Sequence, residues 1–535
     1  VDKPYLDNGR FQVRRGKQYI IAGRLFFPPP INPKTDGNYR TRFGPYVSHT
    51  GVIYAKEDLN TSKALTRLTC ARENPLTKLP DLDWDNQLSS HQEVFIQDHR
   101  AQFATIAGLY APGIEFAGTF EEARLHHADP HDKRELRVHC WKEMHETGLF
   151  FDDVWLTLLT LKMKPNEIAK PLKYPRCIGD LGVAASLQGF VLTSLLKHAQ
   201  EDNPIHYLGG VASFMASPSP TKLENAFKEL IEPRQRWFFC YFSDDACFSI
   251  RHNGRIYRFN VDISQCDASH RDSIFDLYVS MFPESVQADA RKLTDQCKLP
   301  FQIRSDDGRH QVILEPQGHA LYSGSTITTG INNLANQCIA MSFAEAAFDG
   351  TAESLKQAAL RAGYMITVVD CSDDWHKLQF LKHSPVLDTT GTLRALLNVG
   401  VLLRLTGTCN GDLPGRGPLD QRARAFQHGL LRGASPLARY KLLDNMLAAT
   451  GEPLVPPRVT KMIDDIMRYR IDFNGDEKPF HVDDSEVYAR YDLLPHEVDE
   501  LNEGLGHARF GMIHRSRASD KILEDDYGLT PGHLV

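Results

Sequence analysis

The 535-residue sequence has no CxxC pair, and its ten cysteines are scattered without a regular framework. That spacing excludes a zinc ribbon or a disulfide scaffold and favours a reducing compartment. No stretch approaches the run of ~18 apolar residues that a membrane span needs, and the N-terminus lacks a signal-peptide pattern. Internal repeats and low-complexity tracts are absent as well. Nor is there an excess of positive charge: 61 Lys and Arg face 68 Asp and Glu, a net charge of −7. Any binding of nucleic acid must therefore rest on local basic surface lining a channel. The first residue is Val rather than Met, as expected of a processed product or a fragment of a larger precursor.

What is present is an ordinary globular composition, 42% hydrophobic and 24% charged, at a length that fits roughly two to four packed subdomains. Residues 1–60 are rich in Pro, Gly and aromatics and read as strands and turns. Helical patterns follow at 88–108, 119–148, 182–199 and 219–231, and a Leu-rich segment from Phe150 runs into a basic stretch holding Lys162, Lys164, Lys170, Lys173 and Arg176. Residues 390–470 read as mostly helical with a break from Gly407 to Pro418, and 471–535 as charged and irregular.

The acids come next. Two β-prone runs, Trp237 to Phe242 and Ala246 to Ile250, flank Ser243-Asp244-Asp245, which predicts a hairpin with acids at its tip. A turn at His252-Asn253-Gly254 leads into a strand that ends near Asp262, and Asp267 follows five residues later. An acid at a strand end beside acids at a hairpin tip can hold two divalent cations about 3.5–4 Å apart. Taken alone, such acids are more often turn residues. Farther on, Ser323-Gly324 enters a long apolar helix that sets Thr328 and Asn332 on one face at i, i+4. Two polar side chains there suit the reading of a ribose hydroxyl, although a Ser/Thr-rich start also caps an ordinary core helix.

These patterns resemble the motifs of viral RNA-dependent RNA polymerases. The SGxxxTxxxN run from Ser323 to Asn332 is similar to motif B, Asp262-x4-Asp267 to motif A, and Lys164-x2-Glu167-x2-Lys170-x2-Lys173-x2-Arg176 to motif F. The resemblance implies that Asp262 binds metal, and that Asp267, Asn332 and Thr328, with the Ser323-Gly324 loop, select ribonucleotides. Lys164, Lys170, Lys173 and Arg176 would then face the triphosphate. Reverse transcriptases usually carry an aromatic residue where Asp267 stands, which argues against a DNA-making enzyme.

Two Ser-Asp-Asp tripeptides compete for motif C: Ser243-Asp244-Asp245 and Ser372-Asp373-Asp374. The second has the conventional order, after motif B. Yet Gly363 to Asp370 resembles motif D, and Leu378 to His383 resembles motif E, the primer grip, with Phe380, Leu381 and Lys382 at its centre. A motif C at Asp373 would leave no room for motif D. The favoured order is therefore F, C, A, B, D, E, similar to the permuted palms of permutotetraviruses and birnaviruses. No lysine stands at the motif D position often proposed to protonate pyrophosphate; Asp370-Cys371 aligns there, and His376 or Lys377 could substitute.

The fold class implied is mixed α+β, a right hand of fingers, palm and helical thumb. Residues 1–230 are expected to form an N-terminal extension and fingers, 231–386 a palm with a fingers insertion at about 275–318, and 387–535 the thumb and a C-terminal tail that wraps or plugs the cleft. The catalytic and metal set expected is Asp262, Asp244 and Asp245 with Mg2+, for which Mn2+ can substitute. Implied partners are an RNA template, the nascent RNA, nucleoside triphosphates and other viral replication proteins, in the host cytoplasm or a virion. The rival readings are an unpermuted polymerase using Ser372-Asp373-Asp374, a reverse transcriptase, and a polymerase-shaped scaffold without catalysis.

Overall fold

A computed structural model of the chain describes residues 201–216, 218–304, 318–405, 417–450, 478–508 and 512–529, most positions of 189–200, and the short pieces 4–7, 11–14, 40–42, 46–47, 159–163, 177–180, 311–316, 408–410 and 413. The helices expected at 88–108 and 119–148 lie outside the described residues, as do Lys164, Lys170, Lys173 and Arg176. Described positions between 189 and 202 are helical.

At the centre is a six-stranded sheet. Its elements run β1 (Ile205–Tyr207), β2 (Gly210–Phe214), α1 (Pro220–Ile231), β3 (Trp237–Phe242), β4 (Asp245–His252) and β5 (Arg255–Ile263), with β6 (Ile366–Asp370) returning much later. The spatial order is β6-β5-β4-β3-β2-β1. Every pair is antiparallel except β2 and β3, which are parallel and joined through α1, as a parallel connection requires a crossover. The strands β1 and β2 lie N-terminal to residue 231, where the sequence placed the start of the palm.

The aromatic run of β3 is continuous because both faces of the strand are covered. Trp237, Phe239 and Tyr241 belong to the large core, while Phe238 and Cys240 alternate to the other face and meet Leu223, Phe227 and Leu230 of α1. The same period of two runs along β5, where Phe259, Val261 and Ile263 are core and Asp262 is exposed. Each large apolar side chain so buried stabilises the sheet by roughly 1.5–3 kcal/mol.

Between β5 and β6 the chain forms α2 (Asp272–Ser280), α3 (Glu284–Asp295), α4 (Thr328–Glu345) and α5 (Ala352–Arg361). Helix α4 is buried nearly all round and lies under the sheet, its Phe343 ring 4.9 Å from that of Phe248. Strands Phe301–Arg304 and Gln311–Pro316, within the expected insertion, join a second six-stranded sheet with Pro4–Asp7, Phe11–Arg14, Leu159–Met163 and Cys177–Asp180.

A separate apolar core gathers β7 (His383–Leu387), β8 (Leu393–Leu397) and the helices α6 (Val399–Leu405), α7 (Leu419–Ala434), α8 (Lys441–Thr450), α9 (Pro495–Gly506) and α10 (Arg517–Tyr527). Two expectations are corrected here. Residues 393–397 are a strand, not helix, because Asp388 Oδ1 accepts from the Thr390 and Thr392 amides (2.8 and 2.9 Å) and Gly391 supplies φ +81°, closing a hairpin that straddles residue 386. The last segment is not irregular either. Ser516 and Ser519 cap each other's amides at 3.1 and 2.9 Å to start α10, Glu497 caps the Leu494 amide at 2.9 Å to start α9, and Leu501, Leu505, Ile522 and Leu523 are buried. Among the described residues, no helix is long and apolar enough to cross a membrane.

Candidate active site

Ser243 and Asp244 form the two-residue connection between β3 and β4, with Phe242 paired to Asp245. Ser243 is left-handed (φ +53°), a conformation that a non-glycine residue adopts only when its surroundings hold it. Three asparagines of α4 do so. Asn333 Oδ1 accepts from the Ser243 amide at 2.8 Å, Asn332 Nδ2 donates to Ser243 Oγ at 3.2 Å, and Asn336 Nδ2 donates to the Ser243 carbonyl. All three asparagines are buried, so each needs partners of this kind.

The first residue of β4, Asp245, is the direct antiparallel partner of Asp262 on β5. Side chains so placed share one face of the sheet about 4.5–5.5 Å apart at Cβ, and like charges there repel. Burial lifts the Asp245 pKa from 3.8 to about 7; the neighbouring carboxylates of Asp244 and Asp262 push the same way, and the Leu381 amide, donating to Oδ2 at 2.8 Å, opposes them. Among the described residues, no group of three or more His, Cys, Asp or Glu side chains is placed to hold a metal ion.

Beyond β5, Gln265 turns left-handed (φ +48°) and a short helical turn, Cys266–Ser269, presents Asp267. Asp267 is bracketed: Ser323 Oγ donates to Oδ2, and Asn332 Nδ2 donates to Oδ1 at 3.0 Å. The Ser323-Gly324 loop packs on strand Cys177–Asp180, where the Gly179 amide donates to the Ser323 carbonyl at 2.8 Å. Gly324 has φ +101°, and a Cβ there would sit 2.5 Å from the Gly179 carbonyl oxygen, so no other residue fits. Thr328 begins α4 and donates to the Tyr322 carbonyl at 3.2 Å, closing the loop from within.

The second tripeptide sits elsewhere. Asp373 pairs with Arg255 at 2.6 Å, and Ser372 Oγ accepts from the Arg258 amide at 3.1 Å. Arg255 is at the opposite end of β5 from Asp262, seven residues away, which at about 3.3 Å per residue is ~23 Å. Asp374 caps a 3-10 turn through the His376 amide at 3.0 Å.

The substitutes for a motif D lysine are all engaged away from the acids. His376 bonds Asp374 and Glu486, both at 2.9 Å, and Lys377 bonds Asp492 at 2.6 Å. Cys371 is buried, and burial raises its thiol to about 12, which disqualifies it as a proton donor at neutral pH. In the expected primer grip, Phe380 is core, Leu381 and Lys382 are both left-handed, and Lys382 Nζ donates to the Asp526 carbonyl at 2.7 Å over the Tyr527 ring.

The sequence reading missed Asn333, Asn336 and the Leu381 amide. The first two had a signal, the Asn332-Asn333-x2-Asn336 run inside an apolar helix, since buried amides demand partners. The amide had none, because any residue but proline offers one.

No family model matches the chain, and no curated protein matches it at a significant level. Solved structures do. The chain is similar to one described as the X-ray structure of the birnavirus VP1-VP3 complex, with a TM-score of 0.39 and 10% identity over 61% of this chain and 46% of that one. It is also similar to the RNA polymerase VP1 from Infectious Pancreatic Necrosis Virus, with a TM-score of 0.39 and 10% identity over 69% of this chain and 52% of that one. The chain therefore spans about half the length of the chains it matches.

Proposed function

We propose that the chain is an RNA-dependent RNA polymerase that copies a viral RNA template, with motif C (Ser243-Asp244-Asp245) upstream of motif A (Asp262, Asp267). The observation that carries this reading is the pairing of Asp245 with Asp262 on adjacent strands, beside an Asp267 carboxylate bracketed by Ser323 and Asn332.

Two carboxylates facing each other on one face of the sheet, with Asp244 beside them, form a hard oxygen donor set, which fits a divalent cation. Asp262, Asp245 and Asp244 would hold Mg2+, with Mn2+ able to replace it. When bound, such ions activate a 3′-hydroxyl and offset charge on the triphosphate. The chain's own groups do the rest. Asp267 and Asn332 hydrogen-bond the ribose 2′-hydroxyl, with Ser323, Gly324 and Thr328 shaping the loop that holds them. Lys164, Lys170, Lys173 and Arg176 neutralise the triphosphate and the departing pyrophosphate. The Phe380-Leu381-Lys382 turn supports the primer strand next to Asp245. The partners are the RNA template, the nascent RNA, nucleoside triphosphates and other replication proteins, in a host cytoplasmic replication complex or a virion.

The test is templated incorporation by the purified chain with RNA template, ribonucleotides and Mg2+ or Mn2+. Synthesis is expected, and Asp262→Asn or Asp245→Asn should lower it by about a thousandfold. Loss of synthesis with Asp373→Asn alone would move the site to the second tripeptide. Equal use of deoxynucleotides would favour a reverse transcriptase, and no metal-dependent incorporation on any template would favour the scaffold.

A further inference from the structure

We infer that His270 is a positioning residue for sugar selection, acting through Asn332; the inference rests on the polymerase reading above. His270 is fully buried beneath the Asp267 turn. Its Nε2 lies 2.7 Å from Asn332 Oδ1 and 3.8 Å from Cys266 Sγ, and its Nδ1 lies 3.0 Å from the Tyr364 hydroxyl. The Tyr364 ring packs edge-on against the imidazole, with centroids 5.7 Å apart.

Donor and acceptor chemistry fixes the direction of this chain. Oδ1 of Asp267 accepts, so Asn332 must turn its NH2 toward it, 3.0 Å away. That leaves the Asn332 carbonyl oxygen facing His270, which must supply the proton from Nε2. Nδ1 is then an acceptor, filled by the Tyr364 hydroxyl. An amide has two orientations of almost equal shape, and without a donor at Nε2 nothing on that side opposes the reversed one. The reversed amide would set its oxygen against the Asp267 carboxylate and remove the donor that the 2′-hydroxyl site needs. His270 touches no substrate. Its role is to make one amide orientation much cheaper than the other, and Tyr364, two residues before β6, holds it in the tautomer that can do so.

The experiment compares ribo- with deoxynucleotide incorporation, as the ratio of kcat/KM values, on one primed RNA template. The full-length wild type is set beside His270→Leu, His270→Gln and Tyr364→Phe. A neutral hydrogen bond is worth up to about tenfold, so His270→Leu should lower the ribose preference by roughly that factor. Ribonucleotide use should fall and deoxynucleotide use should change little. His270→Gln, which keeps an N–H donor in reach of Asn332, should restore part of the preference, and Tyr364→Phe should reduce it by a smaller factor. An unchanged ratio in both His270→Leu and Tyr364→Phe, with both sugars slowed equally, makes His270 a packing residue and overturns the inference while leaving the polymerase reading intact. If His270→Leu does not fold, Tyr364→Phe, which removes a single oxygen, decides alone. A wild type that incorporates no nucleotide overturns the polymerase reading itself.

Discussion

The chain carries the tripeptide Ser-Asp-Asp twice, and the two copies differ in almost every physical respect except their letters. At 243–245 the serine is left-handed and latched by three buried asparagines, and the last aspartate faces Asp262 across a sheet, its pKa raised to about 7. At 372–374 the serine accepts one backbone amide, the middle aspartate is an exposed partner of Arg255, and the last is a helix cap. The first site sets the carboxylates of Asp244 and Asp262 beside the buried Asp245, where both raise its pKa; at the second, Asp373 pairs with Arg255. Carboxylates crowded on one face of a sheet suit a divalent cation, whereas an exposed ion pair and a helix cap do not call for one.

The sharpest way to break this contrast is to remove one charge at each site. Asp245→Asn should lower nucleotide incorporation by about a thousandfold, ~4 kcal/mol of barrier, while Asp373→Asn should stay within about twofold, since an exposed ion pair contributes only ~0–1 kcal/mol. Steady-state incorporation rates check both.

Unlatching the turn should have a smaller effect. Asn333→Ala removes the acceptor for the Ser243 amide and should slow synthesis by about tenfold through loss of one buried hydrogen bond and its geometry. Arg255→Ala, the corresponding loss beside the second tripeptide, should leave the rate unchanged in the same assay.

A third contrast is in pH. Asp245 binds its proton more tightly folded than unfolded, so the metal-free protein loses stability as pH rises from about 4 through about 7. Metal-free Asp245→Asn should therefore melt a few degrees above wild type at pH 8, the gap closing toward pH 4. Thermal melts across pH in chelator decide this.

The smallest effects belong to the serines. Ser243→Gly relieves a left-handed residue but loses the Asn332 contact, two opposing terms of about 1 kcal/mol each, so melting should shift little. Ser372→Gly loses the Arg258 amide bond and the hydroxyl's own bond to Asp370, and should lower melting by a few degrees without touching incorporation.

The parts legible in the sequence were those written locally. The hairpin after Trp237–Phe242, the strand ending at Asp262 and the helix from Thr328 all follow from alternation, turn chemistry and periodicity over a few residues, although the tip was read as three residues and Asp245 is already in the strand. Asp267 and Asn332 are 65 positions apart and were joined only by resemblance; their 3.0 Å contact is a tertiary fact. What escaped reading has no local signature. His376 and Lys377 looked like available proton donors until Glu486 and Asp492, more than 100 residues on, engaged them. Charge hid α9 and α10, although Ser516-x2-Ser519 and the spacing of Leu501, Leu505, Ile522 and Leu523 were there to be weighed.

The most direct measurement is anomalous diffraction from crystals soaked in Mn2+. The expected result is a peak within coordination distance, about 2.0–2.2 Å, of Asp262 and of Asp244 or Asp245, and none at Asp373-Asp374. A peak at Asp373-Asp374 with nothing at Asp262 would contradict the account.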